Sequence, residues 1–419
     1  MTTSSPSPLI DSRAAWVVAS AALAASSIGF AAPLAVVVAM KPITAELDSV
    51  RSAVSGVVAS SYIGSALGGI LAGWLAGRIG VRRIVLFGAL MMGIGVALAS
   101  FGGLIGLYVG FGVLAGLLGV SCVGSPLLTY VSLWFEKRRG SAVALISSGQ
   151  AVAGALFPPL LQWGVDSLGW RSTMQIFAIF IFASVTILAL LFLKPAPIAP
   201  PAKGAAAKVN VTTRETTLGL PPNGLMVLLM LAVFCCCVPM AMPMNHVVAY
   251  CGDLGFASQT GAVMLSVLLG VAFFARQFWG WLADKVGGWQ TLLYSSLVQA
   301  TGLLGYMATT DQLLLFFVSA VFGVGLSGLL PSYVLVIREC YTIQECNWRV
   351  PTVMFAGFLG MATGGWAPGW LFDRYASYGP AFDIGMVFNI ANIAVLLFLV
   401  GRKHNPFRAI VSDRRSAPV

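Results

Sequence analysis

The chain has 419 residues, 58% of them hydrophobic and only 9% charged. A soluble domain carries about 25% charged residues, so the composition excludes a soluble globular protein and points to an integral membrane protein. The net charge of +10 does not signal a nucleic-acid partner, because the basic residues sit in short loops between apolar stretches, as the positive-inside bias requires.

The N-terminal MTTSSPSPLIDSR has almost no basic character and no short apolar core ending at a cleavage site, so it reads as a cytosolic tail. Twelve stretches follow that can span a bilayer as helices, at approximately 14–40, 52–76, 83–100, 104–133, 141–164, 172–193, 223–250, 258–283, 289–308, 312–338, 350–372 and 380–401. Between the sixth and seventh lies KPAPIAPPAKGAAAKVNVTTRETTLGLPP, a Pro-, Ala- and Lys-rich segment that cannot bury a core and reads as a linker. The expected organisation is a six-helix bundle over 1–193, a cytosolic linker over 194–222, a second six-helix bundle over 223–401 and a cytosolic tail over 402–419. This threading puts 19 of the 24 Lys and Arg on one side and Lys41, Arg51, Arg171 and Arg374 on the other, with Arg276 in the membrane. Both termini are therefore expected in the cytosol.

The two halves repeat each other. Gly73-Trp-Leu-Ala-Gly77-Arg78-Ile-Gly80 matches Gly280-Trp-Leu-Ala-Asp284-Lys285-Val-Gly287 at an offset of 207. Ala31-Ala-Pro33 matches Ala241-Met-Pro243 at 210, Pro126 and Pro331 are 205 apart, and Pro158 and Pro368 are 210 apart. Four landmarks at nearly one offset indicate a duplicated six-span unit.

GWLAGRIGVRR, from Gly73 to Arg83, resembles the cytosolic signature of the major facilitator superfamily, and GWLADKVGG is its second copy. The first copy departs from the pattern at Gly77, where the usual acid is missing; the second keeps Asp284. The resemblance implies an all-α membrane fold of twelve transmembrane helices in two six-helix bundles. It also implies cytosolic gating by Gly73, Arg78, Gly80, Arg82, Arg83, Gly280, Asp284 and Lys285. A narrower likeness is carried by Trp134 to Gly154, WFEKRRGSAVALISSGQAVAG, and by Ala275-Arg276 followed by Gly280. Both resemble the monocarboxylate porter and oxalate-formate exchanger family, in which an arginine of span eight binds the substrate carboxylate. Departures from that family are Ala272 in place of an acid, Leu34 in place of a lysine after Pro33, and no lysine between Arg349 and Asp373. One membrane cation suits a monoanion better than a dianion.

The residues themselves point the same way. Arg276 lies deep in an apolar run, where an unpaired arginine costs roughly 2.5–3.5 kcal/mol on insertion scales. Of the 14 Asp and Glu residues only Asp383, near the outer end of the last span, falls inside one, so the expected counter-charge is an anionic substrate; the alternative is a structural arginine that bonds backbone carbonyls or reaches the cytosolic surface. The planar guanidinium fork suits a carboxylate. His246 follows Pro239 and Pro243 in span seven; it is expected to bind substrate in the cavity, and it is the candidate proton carrier because histidine titrates nearest physiological pH. Asn245, Tyr130 and Tyr333 are the expected polar partners in the cavity, with Tyr62 and Gln150 also worth attention. Asn389 and Asn392 read as structural. Gly323-Val-Gly325-Leu-Ser-Gly328 spells a dinucleotide fingerprint but sits in mid-span, where it reads as helix packing. The seven cysteines form neither a disulfide framework nor a metal site.

The expected function is secondary transport of a small organic monocarboxylate by alternating access, as proton symport or anion exchange. The alternatives are a transporter for another organic anion or an amphiphilic drug, and a receptor that binds without translocating. No enzyme activity, cofactor, metal or nucleic acid is expected. The partners are a carboxylate anion, protons and the lipid bilayer; the protein is expected to be a monomer in a bacterial inner membrane.

Overall fold

A computed structural model describes residues 10–136, 138–195 and 218–403. The expected linker and C-terminal tail lie largely outside the described residues. All regular structure among the described residues is helical. The first half contains α1 (Arg13–Val38), α2 (Met40–Glu46), α3 (Arg51–Ile79), α4 (Val81–Phe101) and α5 (Gly103–Leu107). A π-helical segment, Tyr108–Val120, leads to α6 (Ser121–Val123), α7 (Ser125–Ser132), α8 (Arg139–Ser147), α9 (Gly149–Leu168) and α10 (Trp170–Phe192). The second half contains α11 (Pro222–Asp253), α12 (Ser258–Val286), α13 (Gly288–Ala308), α14 (Gln312–Cys340), α15 (Ile343–Tyr375) and α16 (Gly379–Lys403).

Among the described residues, ten helical stretches are long and apolar enough to cross a bilayer. The other two expected spans fall on α13 and α15, which are long enough but more polar. On α13 the polarity is turned inward: Thr291, Ser295, Ser296 and Gln299 are fully buried. Apolar runs form helices here because only helices satisfy every backbone N–H and C=O within one segment in lipid.

The fourth and fifth spans are not the single helices expected. Span four widens into the π segment and breaks at Gly124 (φ −85°, ψ −99°). The cause is its glycine content. A methyl group on Gly64 or Gly95 would run into the carbonyls of Gly112 and Gly110, so α3 and α4 lie against bare backbone of the π segment. Span five breaks at Ser148 (φ −82°, ψ 1°) between α8 and α9.

The duplicated turn has duplicated geometry. Gly80 (φ 90°) and Gly287 (φ 88°) both take a backbone conformation closed to side chains. Gly323, Gly325 and Gly328 pack α14 tightly against Leu268, Gln299 and Trp279, which makes the glycine pattern a helix-packing device.

Within the first half α1 packs on α9 and α10, and α4 packs on α10 and the π segment; within the second, α11 packs on α15 and α16, and α14 on α12 and α13. The halves meet chiefly where α3 crosses α15, α9 crosses α12, and α1 touches α11. The first two pairs exchange under the internal repeat.

Candidate functional site

The two ends of the interface between the halves differ. At the end away from the basic loops, the chain gathers the few charges it carries there. Arg51, at the start of α3, pairs with Asp253 at the end of α11. Lys41 joins the same carboxylate at 3.0 Å. Asp373, at the end of α15, accepts from the backbone N–H of Arg51 at 2.7 Å and of Ser52 at 2.8 Å. It thereby caps α3, where the first N–H groups have no intrahelical partner and the dipole favours an anion. The Arg51 guanidinium also lies 3.7 Å from the Phe372 ring centroid.

The repeat places a second carboxylate in the corresponding position. Asp166, 207 residues before Asp373, ends α9 and accepts from the Ser258 hydroxyl at the start of α12 at 2.7 Å. It also takes the Gln162 amide at 2.8 Å. Outside the spans on the same side, the Arg171 guanidinium holds the Glu46 carboxyl below its usual range through a 2.6 Å hydrogen bond, helped by the Trp170 indole.

His246 reaches this seal from within. Its Nε2–H donates to the Gly365 carbonyl at 2.7 Å, and its Nδ1 accepts from the Tyr378 hydroxyl at 3.2 Å. The Tyr378 oxygen in turn accepts from Arg51 at 3.1 Å. A neutral ring with its proton on Nε2 satisfies each of these bonds.

Below the seal lies a cavity of about 120 Å³ between the halves. Its walls are apolar, with Phe30, Leu34, Phe111, Leu269, Leu330 and Phe358 prominent, and its polar groups are neutral. Tyr62 and Asn245 face each other across the two halves, the Tyr62 hydroxyl donating to Asn245 Oδ1 at 3.3 Å. Asn245 Nδ2 also donates to the Ala241 carbonyl at 2.8 Å. Gln150, in the first turn of α9, lines the same space. A wider vestibule of about 560 Å³ shares Phe30, Ser65, Val120 and Phe358 with the cavity and opens toward the basic end.

Arg276 stands beside this vestibule. The break at Ser148 leaves the Ser147 carbonyl outside the α9 ladder, and Arg276 donates to it at 2.6 Å. Ser147 itself lines the vestibule. Arg276 Nε is buried without a partner, and no carboxylate pairs with the guanidinium among the described residues.

Three expected substrate residues do not line this space: His246 faces the seal, and two tyrosines are elsewhere. The Tyr130 hydroxyl donates to the Lys194 carbonyl at 2.6 Å, tying α7 to the end of α10. The fully buried Tyr333 donates to Asn392 at 2.8 Å, and Asn392 donates to Ser296 at 3.0 Å. Tyr333 therefore ties α14, α16 and α13 inside the second bundle. Asn389 similarly donates to Gln299 at 2.8 Å.

At the basic end the two halves stand apart. Gly73, Gly77 and Gly280 have nothing within 4 Å of where a Cβ would be. Arg78 lies 3.7 Å over its neighbour Trp74, and Lys285 lies 4.0 Å over Trp281, each within its own half. Among the described residues Arg82, Arg83 and Asp284 form no ion pair.

A sequence profile of the Major Facilitator Superfamily matches residues 14–347. The chain belongs to that superfamily. It is similar to the rat protein named monocarboxylate transporter 13, with 27% identity over 339 residues covering 77% of this chain and 74% of that one. It is likewise similar to mouse monocarboxylate transporter 11, with 27% identity over 368 residues covering 84% and 72%. In structure it resembles a crystal structure of a D-xylose-proton symporter, with a TM-score of 0.71 and 16% identity over 92% of this chain and 97% of that one. This major facilitator is thus an integral membrane transporter, not an enzyme.

Sequence reasoning missed Arg51, Asp253, Asp373 and Tyr378. The available signal was scarcity: with only four basic residues on that side, an arginine at a helix start needed a carboxylate from another helix.

Proposed function

We propose that this transporter is a secondary active carrier of a small organic monocarboxylate, working by alternating access with Arg276 as the group that holds the carboxylate. The observation that carries this reading is Arg276 itself. It is a membrane cation beside a vestibule between the halves, bonded to one backbone carbonyl, with Nε unpartnered and no carboxylate partner among the described residues. A membrane cation with no counter-ion is costly, and a substrate carboxylate would supply one. The relatives named as monocarboxylate transporters support the same substrate chemistry.

Asn245, with Tyr62 and Gln150, completes the site from the cavity side. His246 is the coupling residue of the symport version. It does not line the cavity, but it follows the cavity-lining Asn245 in the chain, and its bond to Tyr378 links it to Arg51 of the seal, so its protonation would be felt at the seal. Anion exchange is the version in which His246 stays neutral. With the basic loops on the cytosolic side of a bacterial inner membrane, the molecule is in its inward-facing state and the GWLA loops are the parted cytosolic gate.

The test is uptake of labelled monocarboxylates into proteoliposomes. Arg276→Gln is expected to lower uptake about 100-fold, the loss of one charge-assisted fork. An imposed proton gradient that drives accumulation in wild type but not in His246→Gln selects symport. Unchanged uptake by Arg276→Gln would refute the carboxylate site.

A further inference from the structure

Among the described residues, no charged side chain lines the route between the halves in either the cavity or the vestibule. Arg276 reaches the vestibule through the Ser147 carbonyl, whereas the Tyr62–Asn245 pair lines the cavity. On α12, Leu269 lines the cavity and Arg276 lies seven residues further on. Seven residues return to nearly the same helix face and advance about 10 Å. A carboxylate held at Arg276 therefore sits at the vestibule, with the Tyr62–Asn245 pair on the far side of an apolar passage.

Resting on the monocarboxylate reading, we infer that the substrate is an amphipathic acid: a carboxylate at one end and an apolar body of roughly six to eight carbons or one aromatic ring. A three-carbon acid spans only about 4 Å. Anchored at Arg276, it would leave the walls of Phe30, Phe111, Leu269 and Phe358 uncovered. A longer acid covers them, and each buried methylene strengthens binding roughly four-fold. Asn245 has one N–H beyond the bond to Ala241, and Tyr62 has free acceptor capacity on its oxygen. A single hydroxyl or carbonyl at the distal end of the body fits these groups, whereas a second carboxylate has no cation to meet it.

The experiment is titration calorimetry on the full chain in lipid nanodiscs, with empty nanodiscs as the background for partitioning. The probes are acetate, lactate, hexanoate, octanoate, 4-phenylbutanoate and, as a neutral isostere, octanamide. Affinity is expected to rise at least ten-fold from lactate to octanoate or 4-phenylbutanoate, with octanamide not binding and Arg276→Gln binding none of the acids. Leu34→Trp, which shortens the cavity, is expected to weaken 4-phenylbutanoate at least ten-fold more than it weakens lactate. If lactate binds as tightly as the long acids and still requires Arg276, the amphipathic inference is overturned while the carboxylate reading stands. If octanoate and octanamide bind alike and Arg276→Gln is silent, the carboxylate reading falls and this inference falls with it. The chain-length series in wild type decides the matter even if a variant fails to fold.

Discussion

The two ends of the interface use the same kinds of residue for opposite purposes. At one end Lys41, Arg51, Asp253 and Asp373 come from four different elements and close the halves together. At the other, Arg78 and Lys285 turn back onto tryptophans of their own helices and leave the halves apart. The difference is one of partners. The sealed end has an acid from the second half for its arginine, whereas the open end has Gly77 where the first copy of the repeat could have carried one. Where charges are this few, each carboxylate decides which end can close.

The strongest way to break this contrast is at Arg51. Arg51→Ala leaves Asp253 with Lys41 alone and removes the stacking on Phe372, at a cost of about 1–2 kcal/mol to the closed seal. Spin labels on the loops at the two ends should then show the sealed end open in a large fraction of molecules. An unchanged distance distribution would mean that helix packing, not the ion cluster, holds that end. A finer comparison uses the repeat itself. Asp373→Asn removes the charge that caps two backbone N–H groups and should destabilise the closed end by about 1 kcal/mol. Asp166→Asn, at the equivalent place, disturbs only a hydroxyl and an amide, and should cost less than about 0.5 kcal/mol. Equal effects on thermal stability would show that the repeat is functionally as well as geometrically symmetric.

Gly77→Asp works from the other side. The site has open space, so the carboxylate is accommodated, and it supplies the acid that the open end lacks. Closure of that end is expected to gain about 0.5 kcal/mol, read as a few-fold rise in protection of a cysteine introduced in the vestibule. The smallest effect concerns Glu46. Arg171 lowers its folded pKa, so the stability this contact contributes is present above the ordinary carboxylate range and is lost as pH falls through the lowered folded value. Wild type and Glu46→Gln should therefore differ slightly in melting temperature at neutral pH and converge on acidification. Because both side chains are partly exposed, the difference is small.

Much of the fold was legible beforehand. The GWLA repeat falls on two turns with matching positive-φ glycines, and all twelve apolar stretches fall on helices. The reading of Gly323 to Gly328 as packing, and of Asn389 and Asn392 as structural, rested on their position within spans. Less was legible at the site. Tyr130 and Tyr333 looked equivalent along the chain, yet one ties α7 to the end of α10 and the other lies buried in the second bundle. A transmembrane helix is apolar on every face, so its sequence lacks the polar stripe that tells which side looks inward.

The sequence by itself determined the number and order of spans, the internal repeat and the presence of one arginine without an acid in the membrane. These depend on local hydrophobicity, which lipid reads segment by segment. Only the tertiary structure decided that Arg51, Asp253, Tyr378 and His246 form one connected seal and that Arg276 lies beside the vestibule. Those placements depend on how each helix is rotated about its axis. Rotation is set by close packing of small residues against helices far away in the chain, as where Gly154 meets Leu269 and Gly369 meets Ser55.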